Sequence, residues 1–317
     1  MILVIVMYLL FASTFTLGKA VLSYVSPFLF IAIRMVLGGS VLLGYYALVA
    51  KQRLSIKKAD LSLFVRIIIF HIFCAYTLEY WALGYVTSAK ACLLYNLSPF
   101  VTAIFYYFLC AERLTYRQIC GLIIGFLGFI PILVAQTPLE KIAWHVGFLS
   151  CYEIALILSV ISSAYGWMIV KDLSSKGYSL VLINGISMTG GGILAFILSL
   201  FTEGIPVMKN VPVALPNMVP IVGLVGEQLI VLVGYSIALV LIANIIGYNL
   251  YGYLLSRYSA TFLSFAGFMT PLFAALLGWI FLSEPVTWHF FATMILVVFG
   301  LYLFHEKKQI VFEEKGL

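Results

Sequence analysis

Tyr76, Glu79 and Tyr80 stand at i, i+3 and i+4 in an otherwise apolar stretch, so a helix there carries two phenols and a carboxylate on one face. Asn244, Tyr248 and Tyr251 repeat the device at i, i+4 and i+7. Tyr95 and Asn96 add a phenol and an amide one turn before Pro99. Aromatic faces take flat rings and cations, a carboxylate takes positive charge, and amides fix orientation. Arg34, midway along an apolar run, either binds a substrate carboxylate or pairs internally with Glu79 or another acid. Glu79 itself has a substrate or proton role, or forms a structural pair with Arg66, His71 or Arg34. Glu153 lies about six residues into its apolar run and divides evenly between a substrate or proton role and a structural pair. For any single tyrosine, packing or an interfacial belt competes with binding, because 16% of the chain is aromatic. His71 reads as a packing histidine ahead of a proton relay.

These residues sit in a chain that is 64% apolar and 9% charged, with a mean hydropathy of +1.13. Soluble domains run at about 45–50% apolar and about 25% charged, so lipid must be part of this chain's solvent. An ionisable group at a membrane helix centre costs roughly 2.5–3.5 kcal/mol, so each one needs a partner or a task. The five cysteines fall inside apolar runs without paired spacing and read as small core residues, not as disulfides or a metal site. The apolar N-terminus lacks the basic flank of a signal peptide, so it reads as a first membrane span.

About 20 apolar residues span a bilayer as a helix. Breaks at charges, Pro and Gly predict ten spans: about 2–21, 27–49, 62–86, 88–110, 115–135, 147–170, 178–201, 232–256, 259–281 and 286–305. The chain is also duplicated. At an offset of 172, Thr87 meets Ser259, Pro99 meets Pro271, Glu112 meets Glu284, Gly128 meets Gly300 and Tyr76 meets Tyr248. Early in each half the offset is 152: Lys19 meets Lys171 and Gly38-Gly39 meet Gly190-Gly191. The difference places an insertion of twenty residues near 203–231, where Pro206, Pro212, Pro216 and Pro220 cluster and where Glu227 reads as exposed. The expected organisation is one repeat over 1–140, a second over 141–305 and a tail over 306–317. Duplicated hydrophobic units are a common plan for transporters, with the substrate at the seam.

Basic residues set the orientation. With the N-terminus inside, twelve lysines and arginines fall on the cytoplasmic side, including Lys51, Arg53, Arg113, Lys171 and Lys176, against four outside: Lys19, Lys90, Lys141 and Lys209. Both termini are expected in the cytoplasm. Repeats of five spans must then be inverted, giving an all-α membrane protein of ten helices. Lys19 is expected to end the first helix and snorkel outward, with a role at the outer mouth as the other reading. Pro99 and Pro271 fall mid-helix, where a missing donor kinks a span, and are candidate hinges. Gly121, Gly125 and Gly128 allow close helix packing, within the chain or at a homodimer face. Glu112 and Glu284 read as caps or local pairs at tight turns.

The stretch LLFASTFTLGKAVLSYVSPFLFIAIRMVLGG (9–39) is similar to the first two helices of the drug/metabolite transporter superfamily, EamA type. Phe11-Ala12 stand where that family usually has Trp-Gly, while Ser13, Phe15, Lys19, Ser26-Pro27 and Arg34 match. Ala82 through Gly128, with its Glu-Arg-Leu turn, resembles the family's third to fifth helices, and Ser259 through Gly300 resembles the same unit with a Glu-Pro turn. The resemblance implies a multi-pass secondary transporter of the bacterial inner membrane, working by alternating access without a cofactor. The substrate expected is a small molecule; the family carries amino acids, nucleotide-like metabolites and drugs. Within it, the chain resembles carriers of S-adenosylmethionine, whose adenine, sulfonium and amino-acid end fit the aromatics, Glu79 and Arg34. An amino-acid or drug exporter is the alternative.

No Walker motif, metal-ligand spacing or nucleophile motif appears, so ATP drive and catalysis lack support in the sequence. An intramembrane enzyme would need paired catalytic groups, and no aspartate falls within a predicted span. The charge of +6 is concentrated in loops as an orientation signal and is not a nucleic-acid footprint.

Overall fold

A computed structural model describes residues 2–22, 25–51, 56–110, 115–203, 226–247, 250, 253–254 and 266–305, with the side chains of 109–110, 226–232, 244–245 and 305 outside that set. Tyr248, Tyr251, Glu112, most of the expected insertion and the tail therefore lie outside the described residues, as do the side chains of Asn244 and Glu227.

Nearly everything described is helical. The helices are α1 (Ile2–Val21), α2 (Pro27–Val49), α3 (Lys58–Leu83), α4 (Ser88–Phe108), α5 (Tyr116–Val134), α6 (Cys151–Ser175), α7 (Leu180–Thr202), α8 (Gly226–Leu239), α9 (Met269–Leu282) and α10 (Trp288–His305). The first seven are long and apolar enough to cross a membrane, and shorter apolar helices lie in the last third. The exception to helix is a small hairpin between α5 and α6, pairing His145–Val146 with Leu149–Ser150.

The helix starts follow from local chemistry. Thr87 caps α4 by accepting from the Lys90 amide at 3.1 Å, and Ser150 with Glu153 closes a capping box on α6. Pro27 occupies the first position of α2, where a missing amide hydrogen costs nothing. The helix interiors are less regular. α3 widens to a π-helix over Ile67–Cys74, directly before Tyr76, and α8 passes into a π-helix over Val240–Gly247. α4 turns at Asn96–Leu97 before Pro99, and a turn at Gly267–Phe268 precedes Pro271.

Packing pairs α2 with α7, α5 with α10, α1 with α9 and α3 with α6. Glycines set the closest approaches. A Cβ on Gly39 would stand 2.6 Å from the Thr189 amide nitrogen of α7, and one on Gly121 would stand 2.6 Å from the Gly300 carbonyl oxygen of α10. Gly125 and Gly128 likewise face Phe100 and Leu296 of the same chain. The glycine stripe of α5 is thus filled from within and is not where a second copy would dock. Large side chains such as Leu48, Phe108, Phe201, Phe281 and Ile295 are left exposed, a surface suited to lipid.

Candidate functional site

Four helices, α2, α3, α4 and α6, bring polar groups together in the apolar interior. From α2, Arg34 is 3% exposed, and its Nη1 donates to the Tyr80 hydroxyl at 2.6 Å. The guanidinium lies 5.6 Å from the centre of the Tyr76 ring and 5.7 Å from that of Tyr80. Its Nε is buried with no hydrogen-bond partner. From α3, Glu79 is 8% exposed and accepts from the Tyr95 hydroxyl of α4 at 2.6 Å, on Oε2. The Tyr95 oxygen also lies 2.8 Å from Ser159 Oγ of α6, which donates back to the Ala75 carbonyl at 2.7 Å. Phe15 of α1 meets the Tyr95 ring edge-on at 5.6 Å, and Phe30 packs on Tyr80.

The two opposite charges do not form a salt bridge with each other, nor with another charged residue among those described. Each is held instead by a phenol hydroxyl. Of the open readings for Glu79, pairing with Arg66, His71 or Arg34 is therefore not what the structure contains. Arg66 is exposed on α3, and His71 is buried with its ring 4.9 Å from Trp167. Asn96 sits at the turn in α4, and its Nδ2 is buried without a partner. Pro99 is exposed just beyond that turn, and Pro271 is buried in the first turn of α9.

Glu153 goes elsewhere. Its Oε2 accepts from the Ser150 amide at 2.7 Å, closing the cap of α6, while its Oε1 meets Lys90 Nζ. Lys90, read from sequence as an outer-loop lysine, is 1% exposed in the first turn of α4. It also holds Glu140 at 2.6 Å and donates to the Ala135 carbonyl at 3.2 Å. Glu140 caps its own one-turn helix, Pro138–Lys141, so both carboxylates divide their oxygens between a helix start and Lys90. Lys19 does not snorkel freely: its Nζ lies 2.6 Å from Glu284 and donates to the Val86 carbonyl. Glu284 accepts from the Ser88 amide at 2.8 Å, so it serves the start of α4 and not a local turn.

Sequence reasoning missed three arrangements. Ser159 is one serine among several on α6, and nothing in its spacing marks it as a partner of Tyr95. Lys90 with Glu140 and Glu153 is a non-local triad. Glu203, at the end of α7, accepts from Ser26 Oγ at 2.6 Å, the Phe28 amide at 2.9 Å, the Leu29 amide at 3.1 Å and Ser199 Oγ at 2.6 Å, and so caps α2. The serine before Pro27 was the available signal for that cap, but its acceptor comes from far along the chain.

The EamA-like transporter family matches residues 1–134 and again residues 151–305. The chain belongs to the EamA-like transporter family. It is accordingly a multi-pass membrane transport protein, and the family to which sequence resemblance pointed is the family that matches. Among relatives of this EamA-like protein, the S-adenosylmethionine/S-adenosylhomocysteine transporter of Chlamydia trachomatis serovar L2 is 30% identical over 279 residues, covering 87% of this chain and 79% of the relative. That of Chlamydia muridarum is also 30% identical, covering 87% of this chain and 81% of the relative. The uncharacterized transporter YvbV of Bacillus subtilis is 25% identical over 92% of this chain and 87% of its own. One crystal structure shares the fold at a TM-score of 0.55 and 19% identity, covering 95% of this chain and 94% of that one.

Proposed function

We propose that this EamA-like protein is a secondary-active transporter of the bacterial inner membrane that carries S-adenosylmethionine by alternating access, without catalysis. The observation that carries the reading is the pair of buried, opposite charges, Arg34 and Glu79. They are not neutralised by each other, and each is held by a tyrosine hydroxyl. Leaving two such groups unmatched inside a membrane protein is costly unless a ligand completes them. A ligand with an anionic and a cationic end does so, and phenol walls suit a flat ring beside them. The names of the chlamydial relatives agree with a substrate of that chemistry.

The architecture proposed is ten helices in two inverted repeats of five, with both termini cytoplasmic. Three observations support it. The family matches twice; the pairs α2–α7 and α5–α10 join equivalent helices; and the π-helix before Tyr76 recurs before Tyr248, where the offset of 172 puts it. On this plan Tyr76, Tyr80, Tyr95 and Asn96 form one wall of the substrate site, and Asn244, Tyr248 and Tyr251 form the wall from the second repeat. Pro99 and Pro271 are the hinges on which access alternates.

An amino acid would also suit Arg34 and its phenols, which makes it the second reading. The test is uptake of labelled S-adenosylmethionine by cells expressing the chain, expected to exceed vector controls severalfold. No uptake above vector, together with uptake of an aromatic amino acid, overturns the substrate in favour of that reading.

A further inference from the structure

Resting on that reading of the site, we infer that Glu79 is the residue that distinguishes a sulfonium substrate from the thioether left when its methyl group has been donated. S-Adenosylmethionine and S-adenosylhomocysteine share an adenosine, an ammonium and a carboxylate. They differ by one methyl group and one positive charge on sulfur. Negative charge placed where the sulfur lies separates them directly, because only the sulfonium gains from it.

The geometry divides the two charges between two places. Arg34 is engaged on the Tyr80 side, with its guanidinium over the Tyr76 and Tyr80 rings. An arginine offers five donors, and its buried Nε remains for an acceptor. A carboxylate docked there brings the adjoining ammonium of the same amino-acid head beside the phenols. Glu79 is next to Tyr80 in sequence, so its side chain leaves α3 about 100° away around the helix, toward α4 and α6. It lies outside salt-bridge reach of Arg34. A group farther along the ligand, past its methylene carbons, suits that separation; in S-adenosylmethionine that group is the sulfonium.

The carboxylate is prepared for a cation. Tyr95 is its hydrogen-bond donor among the described residues, on Oε2, and Oε1 has none. Ser159 holds the Tyr95 hydroxyl and Phe15 packs against its ring, so this donor to the carboxylate is fixed in place. The neutral thioether gains nothing from that charge.

The test is competition for uptake of labelled S-adenosylmethionine by unlabelled S-adenosylmethionine and S-adenosylhomocysteine in wild type, Glu79→Gln and Glu79→Asp. Wild type is expected to prefer the sulfonium. In Glu79→Gln the apparent affinity for it falls about tenfold or more, while that for the thioether changes less than about twofold. Glu79→Asp keeps the charge and keeps the preference. Arg34→Gln weakens both ligands alike, since both carry the carboxylate. A Glu79→Gln protein that still prefers the sulfonium as wild type does, or loses both ligands equally while Glu79→Asp retains both, overturns the inference and leaves the transporter reading standing. If wild type handles neither ligand, the substrate reading itself fails and the inference falls with it.

Discussion

Replacing Lys90 with methionine keeps most of the side chain's length and volume and removes its charge. In the folded protein the lysine is 1% exposed, and both of its carboxylate partners, Glu140 and Glu153, are fully buried. Each carboxylate retains its cap bonds, Thr137 amide to Glu140 at 2.6 Å and Ser150 amide to Glu153 at 2.7 Å, but each loses its one counter-ion among the described residues. Removing one partner of a buried ion pair costs about 3–5 kcal/mol, chiefly because the other charge is stranded. With one lysine serving two carboxylates, the upper part of that range applies. The fall in apparent melting temperature is then roughly 5–10 °C. Thermal unfolding of the detergent-purified protein, followed by size-exclusion recovery after heating, measures it. The triple variant Lys90→Met, Glu140→Gln, Glu153→Gln removes the stranded charges and should recover much of the loss. A Lys90→Met protein as stable as wild type, or a triple variant less stable than the single one, refutes the reasoning.

Two further predictions concern helix starts and helix contacts. Glu203→Ala should lower stability by about 1–3 kcal/mol, because the amides of Phe28 and Leu29 at the start of α2 lose their acceptor; the same heating assay reads it, and Glu203→Asp should lose less. Gly39→Ala should destabilise by about 1–3 kcal/mol, since its Cβ would stand 2.3 Å from Thr189 Oγ1, whereas Gly44→Ala, with nothing within 4 Å, should be neutral or slightly stabilising in parallel unfolding measurements.

What the sequence disclosed and what it hid divide along the distance between partners. Helix identity and the duplication are local or periodic signals, and they are readable from one strand of text. The site residues on α3 were also legible, because charge is expensive at that depth. Their division was not. Spacing places Tyr76, Glu79 and Tyr80 on one face, yet the two tyrosines lie under Arg34 while Glu79 reaches Tyr95, which in turn meets Ser159. An arc of one helical turn is wide enough to face two neighbours, and only the packing of α2, α4 and α6 decides which residue meets which. The same limit explains Glu153, whose depth suggested a site. Its neighbours in sequence, Ser150 and the start of α6, already define a capping box, and the lysine that completes its coordination lies on another helix. Lys19, Glu284 and Ser88 repeat the lesson, since three separate helix ends supply one cluster.

The central claim is that the chain transports through a site centred on Arg34 and Glu79. Its most direct test is exchange of labelled S-adenosylmethionine by purified protein in liposomes, comparing wild type, Arg34→Gln and Arg66→Gln. Arg66 is the control, an exposed arginine on the same α3 that bears Glu79. Wild type and Arg66→Gln are predicted to exchange at comparable rates, with Arg34→Gln reduced at least about tenfold at subsaturating substrate. Arg34→Gln exchange equal to that of wild type across substrate concentrations would contradict the account.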